Sequence, residues 1–162
     1  MNTQPDSCIR VLIADDDEHI LECYRAAFGD NCDRNYVETL SCLEAELFDS
    51  EPASAAPRFE VVACSQGREA ILLALEARRT GRPFDVVILD VRMPPGIDGV
   101  EAGSRIRQLD PEVELVFVTG FSDLTMSDLA RRVPPPVKLH YFNKPLSFMQ
   151  LAESVADMVR AG

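Results

Sequence analysis

The segment VVILDVRMP at residues 86–94 decides the fold, because a run of branched apolar residues ends there on a carboxylate, Asp90. Three other short apolar runs end at or beside a reactive polar residue. These are residues 11–14 before Asp15 and Asp16, residues 115–118 before Thr119, and residues 139–142, followed after one residue by Lys144. Such runs, separated by segments of helical periodicity, indicate strands buried on both faces of a parallel sheet. Open parallel sheets bind ligands beyond the carboxyl ends of their strands, so these polar side chains should meet at one place.

The predicted meeting place holds three carboxylates, a hydroxyl and an ammonium group. Carboxylates crowded together raise one another's pKa values unless a cation lies between them. Magnesium prefers oxygen ligands in octahedral geometry, typically one or two carboxylates with waters and a phosphate oxygen. The residue set therefore predicts a Mg²⁺-dependent phosphoryl site.

Four segments of the chain together resemble the receiver domain of two-component response regulators. They are VLIADDDEHI at 11–20, VVILDVRMP at 86–94, VTG at 118–120 and YFNKP at 141–145. Their order and strand placement match the family from about Cys8 to Val159. Any one segment alone would be a weak signal, but the four in this order are specific.

The resemblance implies a role for each matching residue. Asp90 matches the phosphoacceptor, which takes a phosphoryl group from the phosphohistidine of a histidine kinase or a histidine phosphotransfer protein. Asp15 and Asp16 match ligands that hold Mg²⁺ together with Asp90 and the backbone carbonyl of Arg92. The chain would then be a phosphoacceptor that catalyses only its own phosphotransfer and dephosphorylation, and not an enzyme that turns over a small molecule.

Three further matches concern charge and switching. Lys144 matches the ammonium group that neutralises a phosphoryl oxygen. Thr119 matches the hydroxyl that binds the arriving phosphoryl group, and Tyr141 matches the aromatic residue whose inward rotation reports phosphorylation. In relatives, the surface that responds comprises the fourth helix, fifth strand and fifth helix, and the resemblance implies a possible homodimer there.

Five strands alternating with helices predict a doubly wound α/β fold with helices on both faces of the sheet. The resemblance implies the flavodoxin-like strand order 2-1-3-4-5. We expect strands at residues 9–14, 59–63, 84–89, 114–118 and 138–142. We expect helices at residues 18–28, with Gly29 as C-terminal cap, and at 67–79, 100–109, 123–132 and 147–160.

Length and composition are consistent with a single domain over residues 1–162, with 46% hydrophobic residues to fill a core. The net charge of −11 argues against direct nucleic-acid binding. No apolar stretch approaches the length of a membrane span, and the polar N-terminus lacks a signal-peptide pattern. Five cysteines without metal-like spacing predict free thiols in a reducing cytoplasm, with Cys8 and Cys64 in the core.

The largest departure from the receiver pattern is an inserted segment at residues 30–57, which is too long for an ordinary connection. Tyr36, Leu40, Leu43 and Leu47 recur in it at helical spacing, and acidic residues occupy much of the remainder. The segment therefore predicts an extra amphipathic helix, which must bury its apolar stripe. It packs either against the domain's own first or second helix or against a dimer partner or another protein.

Smaller departures lie in the loops around the predicted site. The segment MPPGIDG at 93–99 has one residue more than the family pattern, and the approach to the last strand, residues 131–142, is about three residues longer. Arg92 and Phe121 each lie two positions past a site residue, and the resemblance implies that these positions help to set how fast an aspartyl phosphate hydrolyses, because bulk there would obstruct the attacking water. We expect a phosphoryl lifetime longer than minutes.

Two alternative functions remain open at this point. The spacing of Asp15 and Asp17 is similar to that of the nucleophile and acid-base pair of haloacid dehalogenase-like phosphatases, with Thr119 and Lys144 as later motifs. That assignment leaves Asp90 without a role and lacks the acidic motif expected after the lysine. The second alternative is a receiver-like scaffold that binds partners without being phosphorylated.

Overall fold

The computed structural model describes residues 8–29, 57–120 and 124–162. The predicted helix within 30–57 and the residue Phe121 lie outside these ranges. The described strands are β1 (Ile9–Ala14), β2 (Phe59–Cys64), β3 (Val86–Asp90), β4 (Glu114–Thr119) and β5 (Leu139–Asn143). The described helices are α1 (Glu18–Phe28), α2 (Gly67–Arg79), α3 (Gly99–Leu109), α4 (Met126–Arg132) and α5 (Phe148–Ala161), and a 3₁₀ turn, Pro136–Lys138, precedes β5.

All five strands are parallel and form one sheet in the order β2-β1-β3-β4-β5, which confirms the predicted fold class. The register places the strand ends side by side. Ala14 lies opposite both Cys64 and Leu89, Asp90 lies opposite Val118, and Thr119 lies opposite Asn143. Residues at the ends of β1, β3, β4 and β5 therefore share the carboxyl edge of the sheet.

Helices cover both faces of the sheet. Helices α2, α3 and α4 contribute to one apolar cluster and α1 and α5 contribute to the other. Val87 and Leu115 lie in the first cluster, Ile88 and Val116 lie in the second, and all four are fully buried. Both faces of the central strands are thus covered, which explains why their sequences are continuously apolar and do not alternate.

Side-chain caps and one glycine mark the helix ends, and Gly29 is the C-terminal cap that the sequence predicts. The Asp17 carboxylate accepts a hydrogen bond from the His19 backbone N–H at 2.9 Å, and Gly29 ends α1 with a positive φ of 67°. Ser147 caps α5 by accepting from the Gln150 N–H at 3.3 Å. Helix α4 begins at Met126, three residues later than predicted, because Thr125 and Asp128 form a capping box there.

A buried arginine organises the amino edge of the sheet. The guanidinium of Arg107, at the end of α3, donates to the backbone carbonyls of Pro111 at 3.0 Å, Val113 at 2.5 Å and Lys138 at 2.7 Å. Burial lowers the pKa of this guanidinium. These contacts hold the lengthened approach to β5 against the segment that precedes β4.

Two other predictions have different outcomes. Cys64 is buried, as predicted, but Cys8 is exposed because it precedes β1, so its assignment to the core is wrong. Among the described residues, no helix combines the length and apolarity that a bilayer span requires.

Candidate metal centre at the carboxyl edge of the sheet

Asp15 and Asp16 extend from the end of β1 into the loop before α1. Asp15 is buried, its backbone N–H donates to the Cys64 carbonyl at 3.2 Å, and its carboxylate accepts from the Asp17 N–H at 2.9 Å. Asp16 is exposed. One carboxylate of the pair is therefore fixed within the fold while its neighbour faces solvent.

Asp90 is the last residue of β3, and its side chain is only 11% exposed. Its carboxylate lies 3.4 Å from the backbone N–H of Arg92. The first residue of α3, Gly99, packs directly on the Asp90 backbone, where a Cβ atom would lie 2.0 Å from the carbonyl oxygen. Only glycine fits there, so the helix start and the carboxylate are held together.

Oxygen atoms of Asp15, Asp16 and Asp90 lie within 4.8 Å of one another. Two oxygens bound to one Mg²⁺ at about 2.1 Å can be at most about 4.2 Å apart. A small side-chain rotation therefore brings all three within the coordination sphere of a single ion. The hard, anionic donor set fits Mg²⁺, and the sequence-predicted ligands are brought together by the fold.

Lys144 extends into the same cluster from the end of β5. Its Nζ atom lies 3.0 Å from Asp15 Oδ2 and 3.5 Å from Asp90 Oδ2. Its backbone N–H donates to the carbonyl of Thr119 at 2.8 Å, and Thr119 itself is buried at the end of β4. Four neighbouring strands thus place an ammonium group, a hydroxyl residue and carboxylates at one edge.

The electrostatics of the site are set by burial and by these neighbours. Burial raises the pKa of Asp90 to about 6, Asp15 and Asp16 raise it as well, and Lys144 and the Arg92 N–H oppose the rise. For Lys144, burial alone lowers the pKa, but the hydrogen bond and charge of Asp15 and the charge of Asp90 outweigh it and raise the pKa. The ammonium group is therefore charged at neutral pH and partly neutralises the carboxylates.

Tyr141 lies on β5 at the side of the site. Its hydroxyl group is 3.0 Å from the carbonyl oxygen of Leu124, in the segment before α4, and 3.0 Å from Asn143 Oδ1. Because Leu124 follows the β4 end that carries Thr119, the tyrosine joins β5 to the connection between β4 and α4.

For three other positions named from the sequence, the structure does not test the predicted role or gives the side chain a different contact. Arg92 is exposed and its N–H lies 3.4 Å from the Asp90 carboxylate, while the role of its carbonyl as a metal ligand stays a prediction. Phe121 lies outside the described residues, so its effect on phosphoryl lifetime also stays a prediction. Asp17 caps α1, so its carboxylate serves the helix and lies outside the cluster that includes Asp15.

One contact beside the site has no signal in the sequence. Gln66, just before α2, donates from Nε2 to the Pro94 carbonyl at 3.3 Å, and a Cβ at Gly96 would lie 2.8 Å from its Oε1 atom. The contact holds the loop that contains the extra proline. No motif marks a glutamine at this position, so only the geometry reveals it.

Comparisons with known proteins agree with this geometry. The chain is 33% identical over 79 residues to the sensor kinase CckA of Brucella abortus, and 35% identical over 97 residues to an uncharacterised response regulatory protein of Vibrio cholerae. These alignments cover 49% and 59% of this chain but only 8% and 33% of those relatives. The chain thus spans less than two thirds of the length of either one.

Solved structures show the same fold. A response regulator receiver protein from Sinorhizobium medicae matches with a TM-score of 0.62 and 21% identity, covering 96% of this chain and 97% of that one. The Thermotoga maritima response regulator TrrA, in complex with Mg²⁺ and BeF, matches with a TM-score of 0.56 and 22% identity, covering 93% and 98%. The response regulator receiver domain family itself matches residues 54–156, well over half of the chain. The chain therefore belongs to the response regulator receiver domain family.

Proposed function

We propose that Asp90 accepts a phosphoryl group in a Mg²⁺-dependent reaction and that the chain works as a phosphorylation-controlled switch. One observation carries the proposal: Lys144 contacts both Asp15 and Asp90. Asp15 lies 129 positions before Lys144 in the sequence, and Asp90 lies 54 positions before it. This convergence supports the proposal, because the carboxylate that would act as nucleophile lies next to two further carboxylates and a cation. Such an arrangement suits phosphoryl transfer, which depends chiefly on positioning and charge neutralisation.

In the proposed reaction, an Asp90 carboxylate oxygen attacks the phosphorus of a phosphohistidine on a histidine kinase or phosphotransfer protein. A phosphorus–oxygen bond forms, the phosphorus–nitrogen bond breaks, and the leaving imidazole nitrogen keeps the electron pair and is protonated by water. Asp15, Asp16, Asp90 and the Arg92 carbonyl would hold Mg²⁺, which supplies Lewis-acid neutralisation of the phosphoryl oxygens. The Lys144 ammonium group neutralises a further phosphoryl oxygen.

The proposed switch begins at Thr119 and Lys144, which gain a new acceptor when the phosphoryl group arrives. Their backbones are already joined at 2.8 Å, so a shift of one moves the other. Tyr141 then changes its hydrogen bond to the connection before α4. In this proposal, Tyr141→Phe leaves Asp90 phosphorylation intact and reduces the phosphorylation-dependent change in amide exchange at α4; an unchanged response at α4 would count against the tyrosine's role.

The face formed by α4, β5 and α5 is the proposed site of phosphorylation-dependent association. Met126, Val137 and Met149 are exposed on α4, before β5 and on α5 respectively. A switch at Tyr141 lies within this face. Light scattering with and without beryllofluoride and Mg²⁺ tests the proposal, and a molecular mass unaffected by the phosphoryl mimic contradicts it.

Mass spectrometry after incubation with acetyl phosphate and Mg²⁺ tests phosphoacceptance itself. We expect one added phosphoryl group on the native protein, no addition without Mg²⁺, and none on Asp90→Ala. Asp17→Asn is the matched control, since Asp17 caps α1 and should leave phosphorylation intact. Phosphorylation that survives in Asp90→Ala, or turnover of phosphate esters that needs Asp15 and Asp17, would instead favour the hydrolase alternative.

A further inference from the structure

Helix α2 carries an apolar stripe on its outer face. Leu72 is 57% exposed and Leu75 is 37% exposed, whereas the inner face packs Ala70, Ala74 and Ala77 into the core. Arg68 and Arg79 are also exposed and extend the line at both ends, so that four residues recur at i, i+4, i+7 and i+11. We call Arg68, Leu72, Leu75 and Arg79 the α2 stripe. The two exposed leucines lie one turn apart and form a small apolar patch that a matching apolar segment would bury.

Helix α1, which begins after β1, has no comparable exposed apolar surface. The exposed positions of α1 are Glu18, His19, Glu22, Cys23, Arg25 and Ala26, which include no large apolar side chain. The remaining large apolar residues that are exposed in the described ranges, Met126, Val137 and Met149, belong to α4, the turn before β5, and α5. They lie toward the β5 edge, whereas β2 forms the opposite edge.

The chain itself contains a sequence complementary to the α2 stripe. Within residues 30–56, Tyr36, Leu40, Leu43 and Leu47 also recur at i, i+4, i+7 and i+11. The same residues include seven carboxylates and one arginine, a net charge of −6. An acidic segment with an apolar stripe of matching spacing suits a face whose two leucines are bounded by arginines.

The attachment points of this segment favour α2. It leaves the described structure after Gly29, at the end of α1, and re-enters at Pro57, just before β2. The Arg58 carbonyl accepts from the Ile9 N–H at 2.8 Å, so this end lies at the amino edge of the sheet. Each helix runs from the carboxyl edge to the amino edge, so α2 also ends at the amino edge, with Arg79. The two ends of the connection therefore lie at the same edge of the sheet as the end of α2, although α1 packs on the opposite face. Because β2 is the edge strand, the connection can reach α2 around it.

We propose that the α2 stripe is the docking face for the chain's own residues 30–56. Tyr36, Leu40, Leu43 and Leu47 cover Leu72 and Leu75, and the segment's carboxylates lie against Arg68 and Arg79. The contact is intramolecular, so it needs no second copy and no other protein. It does not depend on phosphorylation of Asp90.

Hydrogen exchange of the full chain, read by mass spectrometry in peptides covering 36–47, tests the proposal. We expect slowed exchange in the native protein and, in Leu72→Ser with Leu75→Ser, acceleration of about tenfold or more. Met126→Ser with Met149→Ser is the matched control, because it removes two exposed apolar side chains elsewhere and should leave these peptides protected. Arg68→Glu with Arg79→Glu should also accelerate exchange, and added salt should weaken protection in the native protein.

Three results would overturn the proposal. The first is that residues 36–47 of the native protein exchange at the rate of an unstructured peptide, and the second is that their protection is unchanged in Leu72→Ser with Leu75→Ser. Alternatively, light scattering shows a dimer that Leu72→Ser with Leu75→Ser dissociates while exchange at 36–47 stays unchanged, which assigns the stripe to a second copy. Circular dichroism checks that each variant is folded, and acetyl phosphate labelling of Asp90 reports separately on the proposed function.

Discussion

At the residue scale, Asp90 is subject to opposing influences. Burial and two neighbouring carboxylates disfavour its ionised form, while Lys144 and a backbone N–H favour it. The proposed nucleophilic role of Asp90 requires an ionised carboxylate, which a bound cation and the ammonium group would together favour. We therefore expect Asp90 to be most reactive when the metal is present. We expect the folded protein to be least stable when the metal is absent and the pH is neutral.

The pH dependence of stability follows from the raised pKa of Asp90. In metal-free protein its pKa is about 6, against an ordinary value of 3.8, so the folded state holds this proton more tightly than the unfolded state. The resulting stabilisation is present below the ordinary value and is lost as the pH rises through about 6. Asp90→Asn should therefore raise the free energy of unfolding at neutral pH by about 1 to 3 kcal/mol, with a smaller gain near pH 4.

Urea denaturation in a chelator at a series of pH values measures this effect. Asp157→Asn, an exposed carboxylate on α5, serves as the control and should give no pH-dependent gain. A gain for Asp90→Asn that is independent of pH, or that grows toward acid pH, would contradict the assigned shift.

Lys144→Met should separate metal binding from catalysis. Its ammonium group lies 3.0 Å from Asp15 and 3.5 Å from Asp90, where it competes with a divalent cation for the same oxygens. We expect Mg²⁺ affinity, measured by calorimetry, to rise by a few fold, and phosphorylation by acetyl phosphate to slow by at least about tenfold. The control is Lys138→Met, which removes an ammonium group paired with Glu112. Weaker Mg²⁺ binding in Lys144→Met would show that the lysine organises the ligands and does not compete.

The residues of the candidate site could be named from the sequence because each directly follows a strand signal. Chain order and strand type determine which edge a residue occupies, and that edge is shared by all parallel strands. The hydrogen bond from Gln66 to Pro94 could not be predicted, since it depends on the path of two loops and on no residue pattern.

At the scale of elements, the start of α3 is the most tightly constrained part of the site. A Cβ atom on Gly99 would lie 2.0 Å from the Asp90 carbonyl oxygen, so Gly99→Ala must displace either the helix or the strand end. We expect a loss of about 2 to 4 kcal/mol in the free energy of unfolding, with slower phosphorylation of Asp90. Chemical denaturation and acetyl phosphate labelling measure the two effects.

Gly120→Ala is the matched control for this prediction. Among the described residues, a Cβ atom there would meet only Lys144 Cβ, at 3.9 Å, which is ordinary van der Waals contact. Its stability should stay within about 1 kcal/mol of the native value. Equal losses in the free energy of unfolding of the two variants would show that the close approach at Gly99 does not cause the loss.

Most element boundaries could be predicted because apolar runs, capping residues and Gly29 mark them locally. The start of α4 could not be placed as well, since the capping box at Thr125 and Asp128 lies in a polar stretch with several plausible caps. The 3₁₀ turn before β5 was also missed, because three consecutive prolines at 134–136 suggest only an irregular connection.

At the scale of the whole molecule, the buried Arg107 contacts and the acidic cluster lie at opposite edges of the sheet. Arg107 joins three backbone carbonyls at the amino edge and is only 6% exposed. Arg107→Met leaves those carbonyls without their donor, so the free energy of unfolding should fall by about 2 to 4 kcal/mol while phosphorylation of Asp90 persists below the transition.

Arg105→Met is the control, since Arg105 forms an exposed pair with Glu101 one turn away and should change stability by no more than about 0.5 kcal/mol. Thermal or urea denaturation distinguishes the two variants. Loss of Asp90 labelling in folded Arg107→Met protein would contradict the separation of the two edges.

The strand order could be predicted through the family resemblance, but the buried arginine could not. Arg107 lies in a helix of ordinary composition, and its three acceptors come from two distant segments of the chain. Only the assembled fold brings those carbonyls together.

The capped end of α1 at Gly29 and the entry to β2 at Pro57 both lie at the amino edge, away from the acidic cluster. Evolution can therefore lengthen, shorten or exchange the connection between them while the reaction centre stays intact. The same separation makes this junction suitable for engineering: a reporter or binding module grafted there would leave the acidic cluster of Asp15, Asp16 and Asp90 undisturbed.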